Sequence, residues 1–234
     1  PSPFVLLAIA LPFLAACESQ PTLTRQTPMV FERDSAWNVT DLSLDYYLYT
    51  PPGYDDPAGA DEAWPLLIFL HGTGESGGSP TKVAAHGPPK LIEQGTDFPF
   101  LVASPHNPGE LPHNLWLTDY LGAYADHLAE TQRGDPDRVY LAGFSLGGYA
   151  AWNWAATQPD RFAALVPLAG WGYPAEAANL ANVPVRAYHG NLDFVVSINH
   201  ARAMLDAHRA AGGTNELLTL PHRPSAAPPP LPPP

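Results

Sequence analysis

Cysteine is nearly absent. Cys17 is the only one in 234 residues, so no internal disulfide can form and no cysteine-rich metal cluster can be built. Basic residues are scarce as well: 11 lysines and arginines stand against 23 aspartates and glutamates, for a formal charge of -12. With no dense basic run to hold phosphates, nucleic acid is excluded as a partner. No apolar run reaches the ~20 residues that a membrane-spanning helix needs. The nine histidines show no H-x-x-x-H or H-E-x-x-H spacing, so no metal is expected. Apolar character in general is not lacking. Hydrophobic residues make up 45% and aromatics 11%, enough to fill one sizeable core and to exclude general disorder.

Residues 4–16 are almost wholly apolar, and the chain turns polar at Glu18. The run is too short and too interrupted by proline for a bilayer span, and it reads as the core of an export signal whose start lies ahead of Pro1. Its end, LAAC, resembles a bacterial lipobox, which implies lipidation at Cys17. Residues 1–17 are therefore expected to be a signal peptide on an exported, cell-envelope or secreted protein, with lipid at Cys17 the only membrane attachment. Residues 18–30 hold two prolines and no apolar period, and read as a flexible tether. The domain is expected over 31–221, followed by a proline-rich tail over 222–234.

Within the domain, continuous apolar runs occur at 65–72, 98–105, 138–145 and 183–190, with a fifth at 164–170. Runs without alternation suit strands buried on both faces, as in a parallel sheet. A β-rich stretch, LSLDYYLY, precedes them, and ELLTL supplies a final strand. Three segments between the strands have helical spacing, at 117–131, 147–160 and 197–213, the last opening on a serine cap and closing on glycine. A fourth, TKVAAHGPPKLIEQ, is expected to be weak and broken by its Gly-Pro-Pro. Strands alternating with helices give an α/β fold with a mostly parallel sheet, whose sites lie beyond the carboxyl ends of the strands.

The run AGFSLGG has the form G-x-S-x-G, with Gly143, Ser145 and Gly147 in the fixed places. An apolar strand leads into it and a helical run follows at once, so Ser145 is expected at a tight strand-to-helix turn that lifts its hydroxyl clear of the sheet. The free amides of the helix start would face a developing oxyanion. FLHGTGESGG ends another strand in a glycine-rich loop, which makes Thr73 and Leu146 the expected backbone donors of an oxyanion hole. His71 is expected to hold that loop rather than transfer protons. Asp193 lies just past a strand and 48 residues after Ser145, where an acid can orient an imidazole. Asp206 and Glu216 are poorer choices, inside or beyond the following helix. Trp116 and Trp171 are candidates to line a substrate pocket, while Trp152 and Trp154 are expected in the core. His200 and His208 are expected on a solvent-facing helix surface.

From YYLYTPPGY through DPDRVYLAGFSLGGYAAWNWAATQPDRFAALVPLAGWG to VPVRAYHGNLDFVV, over about residues 40–220, the chain resembles the α/β-hydrolase serine esterases. Within them it is most similar to the feruloyl-esterase and polyhydroxybutyrate-depolymerase-like group, whose members are also labelled peptidases or carboxylesterases. The resemblance implies an α/β-hydrolase fold, a Ser-His-Asp triad, no cofactor and no metal. It implies cleavage of a small-molecule or polysaccharide-linked ester through an acyl-enzyme. Two alternatives stay open: a peptidase using the same triad, and a hydrolase-fold lipoprotein that only binds ligand. The chain departs from the group at its end, where a Pro-x-x-Gly-His stretch and a last helix are expected. Pro221 is in place, but the histidine belongs near Ser225, and the sequence reads PHRPSAAPPPLPPP instead. Either His222 is the base, shifted three residues, or the tail is read in a shifted frame, or it is a proline-rich segment that binds a partner.

Overall fold

The structure, a computed structural model, describes residues 23–32, 43–57, 62–109 and 116–221. Cys17 and His222, with the expected lipidation site and the expected base, lie outside the described residues.

The apolar runs become strands. Eight of them, β1 (Thr27–Glu32), β2 (Ser43–Tyr49), β3 (Trp64–Leu70), β4 (Leu101–Pro105), β5 (Gly134–Phe144), β6 (Ala164–Leu168), β7 (Val185–Gly190) and β8 (Asn215–Leu220), form one sheet in the order β1-β2-β4-β3-β5-β6-β7-β8. β1 pairs antiparallel with β2, and β2 with β4. Every later pair is parallel. β4 is buried along its whole length and β3 and β5 at their carboxyl halves, as runs covered on both faces must be.

Helices α1 (Gly87–Glu93), α2 (Thr118–Thr131), α3 (Leu146–Thr157) and α4 (Ile198–Ala210) flank the sheet. Trp152 and Trp154 of α3 are buried in the main core. Ser197 caps α4, its hydroxyl accepting from the Asn199 N–H at 3.3 Å, which satisfies one of the free amides of the first turn.

The segment TKVAAHGPPKLIEQ is interrupted as expected: a 3-10 turn, Pro80–Ala85, stops at the extended His86, and α1 starts afresh at the Gly-Pro-Pro, where proline has no N–H that the helix would need. Two expectations are corrected. The tether expected over 18–30 holds strand β1 from Thr27. Just before it, Glu93 accepts from the backbone N–H groups of Thr24 and Arg25 and from the Gln26 side chain. Pro28 is tolerated because β1 is an edge strand, and Phe31 fills the core against Tyr120 and Tyr124. His208 does not face solvent but is fully buried. Its Nε2 bonds the Leu180 carbonyl at 2.9 Å and its Nδ1 bonds the Asn215 amide at 2.9 Å, so both polar ends are satisfied without water. His200 is exposed as expected.

The register brings the carboxyl ends of the parallel strands to one edge. Leu70 of β3 is opposite Gly143 of β5, Phe144 opposite Leu168 of β6, Leu168 opposite Tyr188 of β7, and Gly190 opposite Leu220 of β8.

Candidate active site

Ser145 occupies the one-residue corner between β5 and α3. Its backbone is at φ 53° and ψ -114°, a region that L-residues rarely enter and that costs about 1–3 kcal/mol. The corner is held from both sides. The Ser145 N–H donates to the Leu168 carbonyl at 2.9 Å, and the Ser145 carbonyl accepts from the Tyr149 N–H at 3.0 Å. The flanking glycines are required by close approach. A Cβ on Gly147 would collide with the carbonyl oxygens of Leu70 and His71, and one on Gly143 with the Gly147 carbonyl. The serine is half-buried.

The collision that forbids a side chain at Gly147 also fixes what lies beside Ser145: the end of β3 and the loop after it. Thr73, exposed, begins a short 3-10 turn, Thr73–Glu75, and Leu146 is the first residue of α3. The two segments expected to supply oxyanion amides thus flank the serine. His71 is buried beneath this loop. Its Nδ1–H donates to the Gly72 carbonyl at 2.7 Å, and its Nε2 accepts from the Asn107 N–H at 2.9 Å. Both nitrogens are engaged with backbone, as a loop-holding histidine requires. Burial pushes its pKa down to about 4, partly opposed by the bond to Gly72, so the ring is neutral. His106, also lowered by burial, bonds the Glu75 carbonyl through Nε2 at 3.2 Å. The Gly77 N–H donates to the Asn107 carbonyl at 2.9 Å. These bonds pin the loop to the end of β4.

On the other side of Ser145, beyond β6, the loop after β7 carries Asp193. The residue is buried. Its Oδ1 accepts from the N–H groups of Val195 and Val196, each at 2.9 Å. Its Oδ2 is buried and takes no hydrogen bond from a described residue. The nearest imidazole nitrogen, His189 Nε2, lies 3.8 Å away and is already bonded to the Val196 carbonyl at 2.8 Å. One oxygen thus shapes the loop, and the other takes no hydrogen bond from the described residues. Ser197, and not Asp193, caps α4. The end of β8 meets this loop, for the Asn191 N–H donates to the Leu220 carbonyl at 3.0 Å. Asp206 lies on the exposed surface of α4, paired with Arg209, and Glu216 of β8 pairs with Arg186 of β7.

Of the two candidate pocket tryptophans, Trp171 stacks on Tyr149, with ring centroids 5.0 Å apart, and Tyr149 meets Tyr173 edge-on at 6.1 Å. This aromatic wall stands one helical turn from Ser145. Trp116 is instead buried in the main core and packs edge-on against His71 at 4.9 Å, so it backs the loop. Sequence reasoning passed over Tyr149 and Tyr173, although i, i+4 spacing from Ser145 marks Tyr149. It also passed over Glu75, His86, His106 and Asn107, which meet only through the fold. Among the described residues no group of histidine, cysteine and carboxylate side chains could hold a metal ion, and no helix is long and apolar enough to cross a membrane.

Known proteins are similar to this chain in sequence or in structure. NocK of Nocardia uniformis subsp. tsuyamanensis, named as an esterase, is 31% identical over 208 residues, 82% of this chain and 56% of that protein. Poly(3-hydroxyalkanoate) depolymerase C of Paucimonas lemoignei is 27% identical over 131 residues, 50% of this chain and 30% of that protein. The chain thus spans 56% and 30% of the length of these two curated relatives. Among solved structures, a thermostable esterase superposes with a TM-score of 0.66 at 22% identity, over 85% of this chain and 55% of that one. A protein of Klebsiella pneumoniae described as a dienelactone hydrolase does so with a TM-score of 0.62 at 20% identity, over 85% of this chain and 87% of that one. These structural likenesses speak for the fold alone. The family description "alpha/beta hydrolase fold" matches residues 65–206, from the strand before His71 to the helix after Asp193, and the chain belongs to that family.

Proposed function

We propose that the chain is a serine hydrolase that cleaves carboxylic esters through an acyl-enzyme. The observation that carries this reading is the backbone of Ser145, held in a costly conformation between the Thr73 loop and the loop of Asp193. Strain of this kind persists only where surrounding structure over-determines it, as at functional sites. The names of the esterase and depolymerase relatives support the same class of reaction.

In this reading Ser145 Oγ attacks the ester carbonyl while an imidazole takes its proton. The carbonyl oxygen becomes an oxyanion held by the Thr73 and Leu146 N–H groups. The imidazolium returns the proton to the departing alcohol, and water then releases the acid by the same steps. Asp193 Oδ2 orients the imidazole. His222 supplies it, since it follows Pro221 directly and the carbonyl of Leu220 is bonded beside Asp193's loop. The aromatic wall of Tyr149, Trp171 and Tyr173 suits a feruloyl- or acetyl-type ester, small or attached to polysaccharide. The lipobox-like LAAC supports export and anchoring through Cys17.

Hydrolysis of p-nitrophenyl acetate by the wild type, by Ser145→Ala and by His222→Ala tests the proposal. Each variant is expected to lose activity by roughly 10⁴- to 10⁶-fold in kcat. Equal rates for wild type and Ser145→Ala would contradict the hydrolase reading. Loss with Ser145→Ala but not with His222→Ala would move the base elsewhere.

A further inference from the structure

The loop that carries Thr73 holds an ionisable pair that the proposed reaction does not use. Glu75 is only 7% exposed, and glutamate is rarely buried without a partner. Its Oε1 lies 3.2 Å from His86 Nε2. Its Oε2 rests against Gly72, where a Cβ would come within 3.2 Å of it. Its backbone carbonyl accepts from His106 Nε2. The ring of His86 packs on Phe144, with centroids 5.5 Å apart, and Phe144 immediately precedes Ser145. One carboxylate therefore touches the glycine before Thr73, and through His86 it reaches the strand that presents the nucleophile.

We infer that Glu75 is a positioning residue for the reaction proposed above: clamped by His86, it fixes residues 72–76 so that the Thr73 N–H stays aimed at the oxyanion. The inference rests on the ester-hydrolase reading. A buried side chain paired at one oxygen with His86 and packed at the other against Gly72 leaves the turn few alternative conformations. An amide held in advance costs no reorganisation when charge develops, whereas one that must be ordered during the reaction does. Glu75 touches no reacting atom, so its effect is on the turnover of bound ester rather than on binding.

The test compares wild type, Glu75→Ala, Glu75→Gln and Ser145→Ala in steady-state hydrolysis of p-nitrophenyl acetate, with amide hydrogen exchange measured on the same proteins. Glu75→Ala is expected to lose kcat by about 10²-fold, the order seen when an oxyanion donor is removed, with KM within about threefold. Exchange over residues 72–77 should be about tenfold faster or more, with β5 and α3 unchanged. Glu75→Gln, whose amide oxygen can still accept from His86, is expected to restore kcat to within about threefold of wild type. Should Glu75→Ala not fold, His86→Ala carries the same two readouts with the same direction. Unchanged exchange over 72–77, or unchanged kcat in an enzyme that needs Ser145, would overturn the inference. If the wild type shows no hydrolysis that depends on Ser145, the ester-hydrolase reading fails instead, and the exchange comparison alone decides whether Glu75 sets the loop.

Discussion

Ser145 combines a positive φ with the role proposed for it as nucleophile, and the two have separable consequences. Glycine tolerates φ > 0 without the side-chain penalty, at some cost in chain entropy. Ser145→Gly is therefore expected to be more stable than Ser145→Ala by about 1 kcal/mol in urea unfolding, while both are inactive. An alanine variant as stable as the glycine one would show that the corner is unstrained. At Asp193, asparagine can still accept from the Val195 and Val196 amides but presents no charge to an imidazole. Asp193→Asn is expected to keep its fold and to lose kcat by about 10⁴-fold, which thermal unfolding and ester hydrolysis would check together.

His71 gives a pH prediction at the same scale. Its pKa falls from an ordinary 6.5 to about 4 in the fold, so between those values the unfolded chain binds a proton that the folded chain does not. Stability contributed by the neutral, buried ring is thus whole above pH 6.5 and is lost as pH falls toward 4, by about 3 kcal/mol. His106 acts in the same direction. His71→Gln is expected to flatten the stability profile over that window, measured by urea unfolding at a series of pH values. An unchanged slope would place the acid sensitivity elsewhere.

Elements carry the next set of constraints. The elbow works because three segments meet almost backbone to backbone: β5, the first turn of α3 and the end of β3. Gly147→Ala would drive a methyl group into the Leu70 carbonyl and is expected to cost about 3 kcal/mol or more, seen as a lower urea midpoint. A variant of wild-type stability would contradict the contact. This elbow was legible in the sequence because its signal is local: an apolar strand, G-x-S-x-G and a helical run are contiguous. The same holds for the parallel strands and for α4 with its serine cap. What stayed hidden depends on distant partners. Strand β1 carries little pattern of its own, and its register comes from β2, while Glu93, 67 residues away in sequence from Gln26, ties down the segment before it. His208 looked exposed by helical position, but Leu180 and Asn215 close over it. Glu75 and His86 are eleven residues apart on different elements, and no spacing rule joins them. The break at the Gly-Pro-Pro is local, and so it is legible in the sequence.

The whole molecule places the chemistry through one sheet. The parallel register sets the ends of β3, β5, β6, β7 and β8 along one edge, so the loops of Thr73 and Asp193 and the corner at Ser145 come to the same side of the sheet. With strands about 4.8 Å apart, the loop of Asp193 starts two strand spacings from Ser145. β1 is the lateral edge strand away from β5, and the Glu93 bonds hold the segment just before it. Hydrogen bonds lower the Glu93 pKa against the opposing effect of burial. Its contribution is therefore present above the ordinary carboxylate range and lost as pH falls through the lowered value. Glu93→Gln is expected to remove that acid-side loss and leave ester hydrolysis unchanged. A parallel fall in activity would couple the two edges.

Whether Ser145 is an activated nucleophile is tested by its reaction with an organophosphorus fluoridate, followed by mass spectrometry of the digested protein. One adduct per chain is expected, on the peptide that contains Ser145, absent in Ser145→Ala and much slower to form in Asp193→Asn. An adduct on another residue, or none at all under conditions where the protein hydrolyses p-nitrophenyl acetate, would contradict it.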